Sequence, residues 1–175
     1  MTSAMPPAVA HEVTVRPLLQ QELAELERIV RQNWGSETVV SRGSVHRVAD
    51  LSCLVAVDGE RWLGLAAYRF DRDDCELVVL AAFERHRGTG TALLDSVVQI
   101  ARAAGARRLW LVTTNDNTDG MRFYQRRGMR LARLRRDAVT RARKELKPQI
   151  PLLGESGIPI TDELEFEIIL SEGDS

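Results

Sequence analysis

Hydrophobic and polar positions change period several times along the chain, and each change marks an element. Around Val13 and Val15 apolar and polar residues alternate, which predicts a strand over 12–18. From 20 to 34 the spacing turns helical, with Leu23, Leu26, Ile29, Val30 and Asn33 on one face and Gly35 placed as a stop. The stretch up to Asp50 keeps neither period and reads as a short helix and loop. Three strand-like runs follow at 51–57, 61–70 and 76–83, parted by Asp58-Gly59-Glu60 and Asp71-Arg72-Asp73-Asp74. Both separators have turn chemistry, so the three runs are expected to form an antiparallel meander.

The second half alternates strands with helices. A helix is predicted over 89–104, with Leu93, Leu94, Val97, Val98, Ala101 and Ala104 on one face and Gly105 as its stop. Leu109-Trp110-Leu111-Val112 is apolar without a break, as expected of a central strand buried on both faces. Strand, Gly-rich turn, helix and strand in that order make a βαβ unit whose two strands should be parallel neighbours. A second helix over 119–127, ended by Gly128, precedes a strand over 129–134, a basic helix over 137–147, a Pro/Gly loop over 148–159 and an alternating strand over 163–170. The basic helix and its loop form an insertion at about 137–160, longer than most connections and therefore a candidate lid. Residues 1–11, rich in Pro, Ala and Ser, read as a disordered terminus, which leaves 12–172 as one domain.

Composition excludes more than it selects. Hydrophobic residues make up 44% and charged residues 28%, an ordinary globular balance, and the formal net charge of −1 names no partner. No apolar run approaches the ~18–20 residues that span a bilayer, and the N-terminus lacks a basic, apolar leader, so a cytoplasmic location is expected. The two cysteines, Cys53 and Cys75, sit inside strand-like runs, where a free thiol behaves as a small hydrophobe. With His11, His46 and His86 they make no metal-ligand spacing, so no metal is expected. Trp34, Trp62 and Trp110 lie in helix or strand runs and read as core.

Chemistry concentrates where the run ending at 83 meets the helix beginning at 89. At Arg85-His86-Arg87-Gly88-Thr89-Gly90, consecutive backbone N–H groups at a helix N-terminus point outward, and two glycines let the backbone approach an anion closely. Arg85 and Arg87 add fixed positive charge, and a pyrophosphate suits this geometry. A Walker loop is excluded, because no Gly-Lys-Ser/Thr ends the segment, and a dinucleotide fingerprint lacks its third glycine.

Arg85-x-x-Gly88-x-Gly90 followed by an amphipathic helix resembles the coenzyme A loop of the GNAT N-acetyltransferase superfamily. Asn117-x-x-Gly120-x-x-Phe123-Tyr124-x-x-x-Gly128-Met129 resembles the second signature of that family, so that the resemblance covers roughly residues 50–135. Three positions depart from the family pattern: Glu84 for a frequent Pro, Gly120 for a usual Ala and Met129 for a usual Phe. The resemblance implies an α/β (α+β) fold, a mixed central sheet of about six or seven strands with helices on both faces. It also implies a splayed parallel strand pair around the coenzyme A site.

Roles follow from the same resemblance. Backbone groups of Leu80, Ala81 and Ala82 would pair with the pantetheine arm, and the N–H of Leu80 would face the thioester oxygen. Arg85, Arg87, Gly88, Thr89, Gly90 and Thr91 would hold the phosphates, with Asn117 contacting the cofactor from the neighbouring strand end. Tyr124 would protonate the departing thiolate, since a phenol of pKa about 10 can serve a thiol of about 8.5. Glu76 is the candidate base, four residues before the oxyanion N–H, and alternation would place Glu76, Val78, Leu80 and Ala82 on one face. The implied co-substrate is acetyl-CoA, and the implied partner is a small-molecule or peptide amine, attacked directly in a ternary complex by a monomer or homodimer.

The acceptor is harder to read. Between Arg107 and Lys147 stand 13 Lys/Arg residues against four Asp/Glu, whereas Asp162, Glu163, Glu165 and Glu167 cluster near the end. The acidic residues are expected to pair with the basic insertion; facing the thioester instead, Asp162 or Glu163 would attract a cationic amine. Nucleic acid is not favoured, because no aromatic residues interleave the charges. Two rival readings share the same loop: a coenzyme A-binding sensor without turnover, and a toxin-like acetyltransferase acting on aminoacyl-tRNA.

Overall fold

Runs of aliphatic and β-branched residues become the strands of the computed structural model, which describes residues 13–84 and 88–171. β1 (Thr14–Pro17) leads to α1 (Leu23–Trp34), a hairpin of β2 (Thr38–Ser41) and β3 (Ser44–Arg47), and a meander of β4 (Ser52–Asp58), β5 (Arg61–Asp71) and β6 (Asp74–Ala82). α2 (Thr89–Ala103), β7 (Arg108–Thr114), α3 (Thr118–Arg126), β8 (Arg130–Arg135), α4 (Ala138–Glu145) and β9 (Glu163–Ile169) complete the order. One sheet runs β1-β4-β5-β6-β7-β9-β8, with β6 and β7 its parallel pair. The expectations for residues 1–11 and for Arg85, His86 and Arg87 fall outside the described residues.

Both faces of the sheet are covered. On one, Leu93, Leu94, Val97 and Ala101 of α2 pack with Leu77, Leu109, Leu111 and Phe166; on the other, Leu26, Ile29 and Val30 of α1 pack with Leu65, Ala67 and Val79. Each fully buried Leu of this kind contributes about 1.5–3 kcal/mol by leaving water. The meander, the parallel pair and the mixed sheet expected from the sequence are all present.

The stretch before Asp50 is not a short helix and loop. It is the β2–β3 hairpin followed by a 3-10 turn at Val48–Asp50. Arg42 and Gly43 both take positive φ, 51° and 77°, the geometry of a two-residue turn that matches strand twist. Asn-Gly commonly announces such a turn, and Arg-Gly does not.

Two irregularities shape β6. Its ladder with β7 covers only Asp74, Cys75 and Glu76 against Arg108, Leu109 and Trp110, after which the strands part. Pairing with β5 steps from Tyr68↔Leu77 to Ala67↔Val79, so Val78 is an extra residue that inverts the alternation. Glu76 and Leu80 therefore do not share a face, contrary to the alternation expected. Leu77 and Leu80 pack with the α2-side cluster, whereas Val79 and Ala81 pack with the α1-side cluster.

Candidate active site

The parting of β6 from β7 frees main-chain groups. Phe83 N–H donates to Leu63 O at 2.8 Å, which directs Phe83 and, two residues earlier, Ala81 toward β5. Leu80 and Ala82 then turn their N–H and C=O groups the opposite way, into the open seam. Ala81 differs from expectation: its carbonyl lies 2.4 Å from where a Cβ on Gly64 would sit, on the β5 side.

Across the seam, Gly88 caps α2 with φ 72°, and the first helical bond runs from Ala92 N–H to Gly88 O at 2.9 Å. The N–H groups of Thr89, Gly90 and Thr91 are left pointing out of the helix end. Thr89 is buried, and its Oγ1 has no hydrogen-bond partner. Gly64 brings α2 this close, because a Cβ there would also stand 2.8 Å from Thr89 Cγ2. A cavity of about 630 Å³ extends from Leu80 and Ala82 past this helix end to Arg122 and Arg126 of α3 and Arg127 just beyond it.

Asn117 caps α3. Its Oδ1 accepts from Gly120 N–H at 3.0 Å and its Nδ2 donates to Thr113 Oγ1 at 2.8 Å. A Cβ at Gly120 would stand 2.3 Å from that Nδ2, so the departure from the usual Ala is what lets Asn117 fold back over its own helix. Tyr124, 8% exposed, packs edge-on against Phe123 at 5.6 Å and tilted against Phe166 at 5.7 Å. Burial pushes its hydroxyl up to about 12, so the proton stays on the oxygen throughout the neutral range.

A second cavity, of about 570 Å³, opens on the other side of Tyr124. Leu80, Asn117 and Tyr124 border both cavities, which places the junction at three residues singled out from the sequence. The candidate lid forms part of the second wall through Val139, Ala142, Lys147, Ile150, Pro151 and Ile160. Arg143 staples that cover, donating to Ile150 O, Pro151 O and Ile160 O at 2.7–2.8 Å. Asn115 anchors its far end, accepting from Thr161 N–H and Asp162 N–H and donating to Pro159 O.

Glu76 borders neither cavity, although its charge reaches Glu163 and adds to the rise in that residue's pKa. It is 1% exposed, accepts from Ser41 Oγ at 2.5 Å and Arg69 Nε at 2.8 Å, and lies on the α1 side of the sheet because of the Val78 bulge. The acidic strand does not pair with the basic insertion through its side chains. Glu165 meets Arg42, Arg108 and Arg135, and Glu167 meets Arg108, all from the hairpin or the neighbouring strands. Asp162 accepts the backbone N–H of Asp137 at 2.8 Å.

Glu163 stands apart. It borders the second cavity, is 4% exposed, and its Oε2 has no hydrogen-bond partner; burial raises its pKa. Lys147 borders the same cavity at 8% exposure, donates to Thr38 O at 2.7 Å, and is lowered in pKa by burial. The sequence left Glu163 undecided and did not single out Lys147, since a burial imposed by distant segments leaves no local pattern. Trp34, expected in the core, is half-buried on the wall of this cavity.

Cys53 and Cys75 are free and buried, with thiols pushed up to about 11 and about 12, which suits core packing rather than nucleophilic chemistry. Among the described residues no group of three His, Cys, Asp or Glu could hold a metal ion, and no helix is long and apolar enough to cross a membrane.

Residues 16–129 match the acetyltransferase (GNAT) family. The Bacillus subtilis protein YxbD is 39% identical over 135 residues, which cover 77% of this chain and 84% of that protein. Among solved structures, a Bacillus subtilis acetyltransferase in complex with CoA superposes with a TM-score of 0.67 at 19% identity, covering 91% of this chain and all of that one. An Elizabethkingia anophelis GNAT family acetyltransferase with acetyl-CoA bound gives a TM-score of 0.65 at 18% identity, over 90% of this chain and 98% of that one.

Proposed function

The chain belongs to the GNAT acetyltransferase family, and on that premise we propose that it moves an acetyl group from acetyl-CoA to the amine of a small molecule or peptide. One observation carries the proposal: Leu80, Asn117 and Tyr124 border two cavities at once, one reaching the N-terminus of α2 and one not. A module that only sensed coenzyme A would need no second cavity meeting the first at a phenol.

The donor cavity fits the co-substrate in its own chemistry. Thr89, Gly90 and Thr91 offer three backbone N–H groups to a pyrophosphate, the orphaned Thr89 Oγ1 has a donor to give, and Arg122, Arg126 and Arg127 suit a further phosphate. Acetyl-CoA supplies an activated acyl group, whose C–S bond breaks as the C–N bond forms. Leu80 and Ala82 hold the extended arm by main-chain pairing in the seam. The N–H of Leu80 gains strength as charge grows on the carbonyl oxygen, so it lowers the barrier rather than tightening the ground state.

Tyr124 gives its proton to the departing sulfur, and the nitrogen sheds one proton in exchange. A phenol near 12 is a weak acid for a thiol of about 8.5, but the burial that raises the phenol also raises a thiol beside it, which narrows the gap. Glu76, with both oxygens held by Ser41 and Arg69, serves the fold of the hairpin and has no part in this scheme.

Thiol release from acetyl-CoA, followed across amines, polyamines, aminoglycosides and peptides with free N-termini, tests the proposal. Release with at least one acceptor is expected. Tight acetyl-CoA binding with no release on any of them would overturn it.

A further inference from the structure

The acceptor cavity carries a pair of opposite charges whose hydrogen-bonding capacity the fold leaves partly unused. Lys147 is a buried ammonium whose hydrogen bond goes to a backbone carbonyl, Thr38 O, and no carboxylate pairs with it among the described residues. Glu163 is a buried carboxylate that accepts a backbone hydrogen bond from Arg42 and feels the charges of Arg42, Arg135 and Glu76, yet its Oε2 has no hydrogen-bond partner. A buried charge short of hydrogen-bond partners is destabilising, so a ligand that supplies the missing contacts at both residues of this cavity is favoured. Around them the wall is aliphatic, with Val39, Val79, Val112, Val139, Ile150 and Ile160. The volume, about 570 Å³, falls within the range of small-molecule sites.

Resting on the acetyl-transfer reading above, we infer that the acceptor is a free amino acid with an apolar side chain, its ammonium held by Glu163 and its carboxylate by Lys147. The aliphatic wall takes the side chain. Glu163 is also the group in this cavity that can remove a proton from the ammonium, converting R–NH3+ to R–NH2 before attack on the thioester carbon. Its raised pKa and the lowered one of Lys147 share one cause, a dry wall, in which an ion pair made with the ligand is stronger than in water. A peptide N-terminus presents an amine without a nearby carboxylate and would leave Lys147 unpaired.

The test compares L-leucine and L-phenylalanine with L-leucinamide, 3-methylbutylamine and spermidine, following thiol release from acetyl-CoA. The free amino acids are expected to have kcat/KM at least tenfold above the amide and the decarboxylated amine. Lys147→Met should raise the KM for leucine about tenfold more than that for 3-methylbutylamine, and Lys147→Arg should restore the preference; one charge-assisted hydrogen bond is of this size. Glu163→Gln should lower kcat for leucine and flatten its pH dependence. Equal use of leucine and leucinamide, or a Lys147→Met protein that keeps the preference, would overturn the inference and leave acetyl transfer standing. Release with spermidine alone does the same. No release with any amine would overturn both.

Discussion

The two cavities that meet at Tyr124 are built by opposite means. The donor side is main chain: a seam between parting strands, a helix end and a glycine cap, drawn from 80–84, 88–91 and 117–127. The acceptor side is side chain, assembled from α1, the β2–β3 hairpin, β6, β7, α4 with its loop, and the start of β9. Backbone suits a ligand whose phosphates and amides are always the same, because N–H and C=O groups need no particular residue. Acceptor recognition requires particular charges at particular places, and the fold supplies them from distant segments. This chain therefore declares its donor in local sequence and conceals its acceptor in tertiary structure.

Variants should divide along that line. The largest effect is expected at the junction itself: Tyr124→Phe should lower kcat by about 10²–10³, within the range of general acid catalysis, and leave acetyl-CoA affinity near its original value in calorimetry. Next comes the donor framework. Gly64→Ala would drive a Cβ into Ala81 O and Thr89 Cγ2, so thermal unfolding should show a loss of about 1–3 kcal/mol with a matching rise in the KM for acetyl-CoA. Gly88→Ala forces a left-handed alanine, costing about 1–2 kcal/mol, and initial-rate measurements should find the acetyl-CoA KM raised about tenfold with acceptor preference intact.

The acceptor side should answer in the reverse sense. The Glu163 carboxyl is raised in the folded protein because burial penalises its charge, so it weakens the fold as pH rises from the ordinary carboxylate range through its folded value. Glu163→Gln removes that penalty. It should gain about 1 kcal/mol, a rise of about 2–4 °C in midpoint at neutral pH and none at acid pH, while turnover falls. The smallest effect is expected at Gly120→Ala, which would displace the Asn117 amide and remove a helix cap worth about 1 kcal/mol. If donor-side variants altered acceptor preference, the division would fail.

Legibility followed the same split. The meander, the βαβ unit and both glycine-marked helix starts and stops were readable because each rests on a local period or a local turn. The hairpin at 38–47 was not, since Arg42 occupies a positive-φ position where the common signal is Asn. The face of Glu76 is not legible for one reason: a single extra residue, Val78, inverts the strand, and nothing in Glu76-Leu77-Val78-Val79-Leu80 marks which position bulges. The acidic strand was expected to neutralise the basic insertion, but alternate residues of β9 face Arg108 and Arg135 on their own sheet neighbours. Glu163 and Lys147 look like solvated charges in sequence; only the tertiary fold buries them.

The scheme for transfer requires donor and acceptor cavities to meet at Leu80, Asn117 and Tyr124. A crystal structure of the protein with acetyl-CoA tests it most directly. The thioester oxygen is expected about 3 Å from the N–H of Leu80 and the sulfur within hydrogen-bond reach of the Tyr124 hydroxyl, with the acetyl carbon open to the cavity of Glu163 and Lys147. A thioester lodged away from Tyr124, or an acetyl group closed off from that second cavity, would contradict it.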